Sequence, residues 1–229
     1  MHIGLIGGIG PAATIVYYDR LTRRVREAGG RLELTIVHAD VFDLIANVNA
    51  DRREAQAAVY AGLIERLRAA GAECAAITSL GGHFCFPETE RIASLPLVSG
   101  VAPLDAHFAA LGLGRVGLLG TEVVMRTRLF GQMVRTEAVA PAVDLAALGK
   151  VYQDVATSGA CTANQRATLV EAGRRMVEDQ GAEAVILAGT DLNLAFTGDP
   201  GYPVVDALDV HVAVLADLAT GARTLAAPA

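Results

Sequence analysis

The chain carries two versions of one sequence pattern, and this internal duplication constrains its fold more than any other feature. Residues 71–79 (GAECAAITS) and 181–189 (GAEAVILAG) read almost as copies. Two further pairs occur in the same order, namely 3–7 with 116–120 and 104–107 with 208–211. Three matched segments in one order indicate two similar halves. We expect each half to be an α/β domain, with equivalent loops from both halves reaching one ligand in a cleft between them.

Short apolar runs alternate with amphipathic segments in both halves, which is typical of parallel sheets covered by helices. Strands are predicted at 2–6, 31–38, 73–79, 97–98, 115–119, 183–188 and 204–205. Helices are predicted at 11–26, 53–70, 124–135 and 163–179, with a final helix after the last strand. The predicted fold class is α/β, with two pseudo-symmetric domains, each a short parallel sheet flanked by helices. The first half is expected to hold residues 1–98 and about 207–229, and the second about 99–206.

Composition and charge argue against several classes of protein. A net charge of −6 without a basic run argues against nucleic-acid binding. No apolar run approaches the ~20 residues that span a bilayer, and the start does not resemble a signal peptide, so we expect a cytoplasmic protein. The three cysteines have no CxxC spacing and no HExxH occurs, so no disulfide framework or metal site is predicted. Lys150 is the only lysine and stands in a loop-like context, which argues against a pyridoxal-phosphate enzyme.

The glycine-rich loop after the first strand has two interpretations. Residues 8–13 (GIGPAA) fit G-x-G-x-x-A, which alone would suggest a dinucleotide site. The acidic residue expected further along is replaced by arginines, and Pro11 has no N–H to offer a phosphate. The loop therefore either binds a small anion at the helix N-terminus or is a tight turn that lets the helix pack on its strand.

Residues 3–14 (IGLIGGIGPAAT), followed by Tyr17 and Tyr18, resemble the opening of the aspartate/glutamate racemase family. The family's other motifs follow in order along nearly the whole chain, at 71–73, 81–83, 117–121, 181–187, 190–191, 203–206 and 211. The resemblance implies a two-domain enzyme that uses no cofactor and acts on a small-molecule carboxylate. It also implies a homodimer.

Family members use two cysteines, one per half, so that one thiolate removes the α-proton while the opposite thiol delivers another. The matching positions in this chain are Ser79 and Gly189, so both catalytic thiols are missing. Ordinary two-thiol racemisation is therefore excluded at these positions, unless Cys85 substitutes. A free cysteine more commonly serves as a small buried hydrophobe, and that interpretation of Cys85 also stays open.

The resemblance points to three candidate catalytic residues. Ser79 needs an activating neighbour to act as a base. Asp191 can serve as a base or cap the following helix, and His83 can donate a proton near neutral pH. The expected substrate-binding residues follow strands or lie in family motifs: Gly8, Thr14, Thr78, Thr121, Tyr152, Gly189 and Thr190.

The resemblance also bears on the substrate. In aspartate racemases a lysine after a Tyr-x-x-Val stretch helps to bind the distal carboxylate, and here Tyr152 to Val155 is followed by Ala156. We therefore do not expect aspartate or glutamate as the substrate. Three functions stay open: an isomerase, lyase or cyclase that stabilises an enolate without the cysteine pair, a racemase that uses Cys85, and a non-catalytic small-molecule-binding pseudoenzyme. His107 and His211, which are matched in the two halves, are interpreted as structural or interdomain residues.

Overall fold

The structure, a computed structural model, describes residues 1–225 and contains two compact units. The first unit is formed by Met1–Gly100 together with the chain from His211 onward, and the second by Val101–Val210. The predicted first half extended to residue 229, and its last four residues lie outside the described residues.

The first unit is built around a parallel four-stranded sheet. Its strands are β1 His2–Gly7, β2 Glu33–His38, β3 Cys74–Ile77 and β4 Leu97–Val98, in the order β2-β1-β3-β4. Its helices are α1 Pro11–Glu27, α2 Val41–Asn49, α3 Arg53–Ala69 and α4 Phe86–Ile92, with a 3-10 turn at Gly81–Cys85. Ile3 pairs with Leu34 on one side and Cys74 on the other. This register brings the carboxyl ends of β1 and β3 to the same edge of the sheet.

The second unit repeats this arrangement. Its strands are β5 Arg115–Leu119, β6 Glu137–Val139, β7 Ala184–Leu187 and β8 Val204–Asp206, in the order β6-β5-β7-β8. Its helices are α5 Ala102–Ala110, α6 Glu122–Arg126, α7 Leu145–Ser158 and α8 Ala163–Glu178. The last helix, α9 Ala207–Thr220, begins in this unit and ends in the first. The predicted α/β class with two matching parallel sheets is confirmed.

The helices begin and pack where the sequence gives them a reason to. In α1, Pro11 occupies the first turn, and Tyr17, Leu21 and Val25 recur every fourth residue and are all buried. Helix α7 begins on Asp144, whose carboxylate accepts from the N–H of Ala146 at 2.9 Å. The middle strands β3 and β7 are buried throughout, as expected for parallel strands covered on both faces.

Three details differ from the predictions. The helix expected at 124–135 covers only Glu122–Arg126. Arg128, Leu129 and Phe130 have positive φ angles of 50°, 55° and 59°, which a right-handed helix cannot contain. Lys150 does not lie in a loop but within α7, where it pairs with Asp154. Helices α2, α4, α5 and α7 and strand β6 had no predicted range.

Candidate functional site

The glycine loop after β1 is closed on itself by one side chain. Gly8 and Gly10 have φ angles of 89° and 118°, which only glycine adopts readily. The Thr14 hydroxyl accepts from the N–H of Gly8 at 3.0 Å and lies 3.2 Å from the carbonyl of Gly10, to which it donates. The Gly8 N–H is therefore already satisfied within the loop. This geometry favours the tight turn over the anion cradle.

Thr78 and Ser79 follow β3 at the neighbouring strand end. The Thr78 hydroxyl donates to the carbonyl of Ile6 at 3.0 Å, and its oxygen lies 3.4 Å from the hydroxyl oxygen of Thr14. The Ser79 hydroxyl oxygen accepts from the N–H of Gly82 at 3.2 Å. Because the oxygen is used as an acceptor, the Ser79 O–H is left to donate. In this geometry Ser79 is suited to hydrogen bonding to a substrate oxygen and not to removing a proton.

His83 is held by backbone groups on both ring nitrogens. Its Nδ1 donates to the carbonyl of Ser79 at 2.7 Å, and its Nε2 accepts from the N–H of Gly100 at 3.0 Å. The side chain is 2% exposed, and burial lowers the pKa of His83 to about 4. The ring is therefore neutral at pH 7 with both nitrogens engaged. This arrangement does not fit a proton donor near neutral pH; His83 positions the main chain around Ser79.

A second buried histidine lies beside His83. The Tyr17 hydroxyl donates to Nδ1 of His211 at 2.8 Å, and Nε2 of His211 donates to the carbonyl of Val98 at 3.2 Å. Burial, together with the nearby His83, lowers the pKa of His211 to about 3. The ring centroids of the two histidines are 6.4 Å apart. Both rings thus fasten the end of β4 from within the first unit.

Cys85 does not have the environment of a catalytic thiolate. Its side chain is fully buried in the 3-10 turn, where Sγ lies 3.6 Å from the hydroxyl of Thr89. Burial raises the pKa of Cys85 to about 11. A thiolate is the reactive form of cysteine, and burial disfavours it here. The structure therefore favours the small buried hydrophobe over the substitute catalyst.

In the second unit, the strand ends bring together Thr121 and the residues that follow β7. Thr121 caps α6, its hydroxyl oxygen accepting from the N–H of Val124 at 3.4 Å, so its O–H is left to donate. Thr190 and Asp191 are both 1% exposed. Asp191 does not cap the following 3-10 turn through its side chain. The helix-cap interpretation of Asp191 is therefore not supported.

The space beside Gly189 is filled by an aromatic ring. A Cβ placed on Gly189 would lie 2.5 Å from Cε2 and Cζ of Tyr152 and 2.9 Å from its hydroxyl oxygen. Carbon atoms do not approach so closely, so no side chain fits at position 189 while Tyr152 keeps this position. Tyr152 lies in α7. Its side chain is 4% exposed and packs in the core of the second unit.

The Tyr152 phenol is hydrogen-bonded within this cluster. Its hydroxyl donates to Oδ2 of Asp191 at 3.5 Å, and the Thr190 side chain also hydrogen-bonds the phenol. Burial and the negative charge of Asp191 raise the pKa of Tyr152 well above its ordinary value of 10. Tyr152 is thus a neutral phenol at any physiological pH. It can donate a proton but is a poor base.

Several relationships around the site were missed by the sequence analysis. Tyr152 and Gly189 were both expected to bind substrate, but nothing in the sequence showed that they touch. Tyr60 was not considered, yet its hydroxyl would lie 2.6 Å from a Cβ on Gly82, whose N–H holds Ser79. The sequence signal for both contacts was the glycine itself, since Gly82 and Gly189 have no Cβ to keep a tyrosine ring away.

The remaining sequence-based expectations concern substrate charge, metals and membranes. Ala156 lies in the core of the second unit, one helical turn after Tyr152. Within residues 1–225, no group of three or more His, Cys, Asp or Glu side chains could hold a metal ion. Over the same range, every helix is too short or too polar to span a membrane. We expected Ser79 and Gly189 to act on one ligand. The two residues belong to different units, so this expectation stays a prediction.

Comparison with known proteins identifies a family and its fold. A family model described as Asp/Glu/Hydantoin racemase matches residues 6–215. An aspartate racemase homologue from Pyrococcus horikoshii OT3 is 26% identical, with 95% of this chain and 98% of that one covered at a TM-score of 0.75. A candidate Asp/Glu racemase from Yersinia pestis is 23% identical, with 96% and 99% covered and a TM-score of 0.77. An aspartate racemase from Picrophilus torridus has 18% identity, 96% and 94% coverage and a TM-score of 0.68. These matches confirm the resemblance predicted from the sequence motifs.

Proposed function

Because this chain belongs to the Asp/Glu/hydantoin racemase family, we propose that it is a cofactor-independent enzyme acting at the α-carbon of a small carboxylate or amino-acid-like substrate. The reaction passes through an enolate-type intermediate and proceeds without a cysteine pair. Its class is that of an isomerase, lyase or cyclase and not that of a two-thiol racemase.

The observation that carries this proposal is the close approach of Tyr152 to Gly189. A side chain at position 189 would collide with the Tyr152 ring at 2.5 Å, so this half of the protein is built around the absence of a thiol. Ser79 occupies the other family position, and its hydroxyl oxygen is held by the Gly82 N–H. Catalysis by Cys85 as a substitute thiol is also disfavoured, because Cys85 is buried and its pKa is raised.

The retained groups are suited to stabilising negative charge on oxygen. The hydroxyls of Ser79 and Thr121 each accept a backbone N–H and so present their own hydrogen as donors. Fixed donors of this kind stabilise an oxyanion as it forms, because they need no reorganisation during the reaction. Asp191 is the only carboxylate among the candidate site residues and is assigned as the base.

The substrate proposed is less charged than aspartate. Position 156 carries a buried alanine in the core, so no cation stands there to neutralise a distal carboxylate. Burying an unpaired carboxylate is costly. A substrate with a single carboxylate therefore fits the second unit better than one with two.

Proton NMR in heavy water tests the proposal directly. The protein is incubated with both enantiomers of alanine, serine, aspartate and glutamate, and with lactate and mandelate, and the α-proton signal of each is followed. We expect at least one single-carboxylate compound to lose its α-proton signal or to form a product. Asp191→Asn, which keeps the side-chain shape, should abolish this change, and Tyr18→Phe on the exposed face of α1 should not. If no compound loses its α-proton signal or forms a product, the proposed enzymatic function is contradicted and a non-catalytic binding protein is favoured.

A further inference from the structure

The second unit offers a hydroxyl close to where the side chain of residue 189 would begin. The Tyr152 oxygen lies 2.9 Å from the position that a Cβ on Gly189 would take. Any short side chain at 189 would therefore place its end group in the region that the phenol now fills. The Tyr152 ring can occupy this position only because residue 189 is a glycine and has no Cβ.

The phenol lies in a prepared polar environment and not among apolar groups alone. Asp191 accepts its hydrogen at 3.5 Å, and the Thr190 side chain also hydrogen-bonds it. Tyr152, Thr190 and Asp191 are 4%, 1% and 1% exposed. Bulk water is thus largely excluded from the hydroxyl, which strengthens the electrostatic interactions within the cluster.

We propose that the Tyr152 hydroxyl is the proton donor of the second unit, in place of the missing thiol, and that Asp191 is its proton partner. This inference rests on the proposed function and names the residue that completes it. The sequence predicted only that Tyr152 binds the substrate. The present proposal gives it a proton-transfer role.

The proton transfers balance without any further reactant. The Asp191 carboxylate takes the α-proton, and the C–H electron pair remains on the substrate as an enolate. The Tyr152 O–H bond then breaks as a C–H bond forms at the α-carbon. The resulting phenolate takes the proton from the Asp191 carboxylic acid, 3.5 Å away, which restores both residues. The proton taken from the substrate then lies on the Tyr152 phenol, which exchanges it with solvent after product release, so each cycle in heavy water labels the α-carbon.

The donor and the base belong to one cluster, and this predicts the stereochemistry. With alanine or serine as the probe, removal and return of the proton on one face exchange the α-hydrogen while its configuration is retained; this degenerate exchange is the partial reaction that precedes isomerisation, elimination or cyclisation of the enzyme's own substrate. Two opposed thiols would instead invert the centre. The measured product is therefore a deuterated compound of unchanged configuration.

The test compares wild type, Tyr152→Phe and a matched control, Tyr202→Phe. Tyr202 is another nearly buried tyrosine of the second unit, and its hydroxyl donates to the carbonyl of Val170 at 2.8 Å. The probes are the enantiomers of alanine and serine, with exchange followed by NMR and configuration by chiral chromatography. General acid–base groups contribute ~10²- to 10⁴-fold, so Tyr152→Phe should lower kcat for exchange by at least about 100-fold. KM should stay near the wild-type value because the ring still fills the space beside Gly189, and Tm should fall no further in Tyr152→Phe than in Tyr202→Phe, which also loses one buried hydrogen bond.

The outcomes separate this inference from the proposed function. Exchange by wild type that survives in Tyr152→Phe would overturn the role of the hydroxyl and leave the enzyme assignment intact. Exchange accompanied by inversion would overturn delivery from one cluster. An absence of exchange in wild type would instead count against the proposed function itself. Loss of exchange in Tyr152→Phe with a Tm no lower than that of Tyr202→Phe, and normal exchange in Tyr202→Phe, is the result we expect.

Discussion

The backbone N–H of Gly100 donates to Nε2 of His83 at 3.0 Å. Gly100 is the residue at which the chain leaves the first unit. The same glycine is also packed against His211, since a Cβ on Gly100 would lie 2.8 Å from Nδ1 of that ring. Two neutral histidines therefore hold the chain at its exit, and the bond from Gly100 requires an unprotonated Nε2.

The first prediction concerns the pH dependence of stability. The folded-state pKa values of His83 and His211 are about 4 and about 3, below the ordinary value of 6.5. The unfolded state therefore binds protons first as the pH falls. The free energy of unfolding should be unaffected above pH 6.5 and should decrease between pH 6.5 and about 4, by up to about 1.4 kcal/mol per pH unit for each histidine. Urea denaturation at pH 7, 6, 5 and 4 measures this slope.

A substitution isolates the histidine contribution from that of the carboxylates. His83→Gln should reduce the slope by the equivalent of one proton, because glutamine does not titrate. Equal slopes in wild type and His83→Gln would show that His83 does not resist protonation in the folded state.

The second prediction concerns the fit between Gly189 and Tyr152. Gly189→Ala should lower the free energy of unfolding by roughly 1 to 3 kcal/mol, the usual cost of overpacking, because the new Cβ meets the ring at 2.5 Å. Gly198→Ala is the matched control, since a Cβ there meets nothing within 4 Å. In a Tyr152→Ala background the same Gly189→Ala change should cost little. Additive effects of the two changes would show that the residues do not compete for space.

The third prediction concerns the thiols. Cys74 and Cys85 are buried, and the pKa of each is raised to about 11. The native protein should therefore take at most one iodoacetamide adduct, on the partly exposed Cys161, while the protein in urea should take three. Intact-mass spectrometry counts the adducts, and Cys161→Ser should leave the native protein unlabelled. Alkylation should not change α-proton exchange. Rapid labelling of Cys85 would reopen the thiol mechanism.

The fourth prediction concerns the glycine loop after β1. Thr14→Val keeps the side-chain shape but removes the acceptor of the Gly8 N–H and the donor to the Gly10 carbonyl. We expect a loss of about 1 to 3 kcal/mol in the free energy of unfolding, because a backbone donor is left without its partner. Thr14→Ser restores the hydroxyl and should recover most of the loss. Equal stability of the valine and serine variants would show that the hydroxyl does not hold the loop.

The sequence by itself determined the architecture. The α/β class, the two parallel sheets and the bounds of α1, α3 and α8 follow from periodicity and glycine-rich turns, which are local properties of the chain. The strand order within each sheet was not predicted. The interpretation that Ser79 and Gly189 stand where the family carries its two cysteines also came from the sequence alone, and it stays a prediction. The helix predicted at 124–135 was wrong because three non-glycine residues adopt positive φ angles, a choice that composition does not reveal.

Only the tertiary structure decided which groups of the site are still available to a ligand. Gly8, Thr14 and His83 carry suitable donors and acceptors, but each is already paired within the first unit. Tyr152 meets Gly189 although many residues separate them in the chain. Hydrogen-bond satisfaction and steric exclusion depend on distances between such remote residues, and a one-dimensional pattern does not contain those distances.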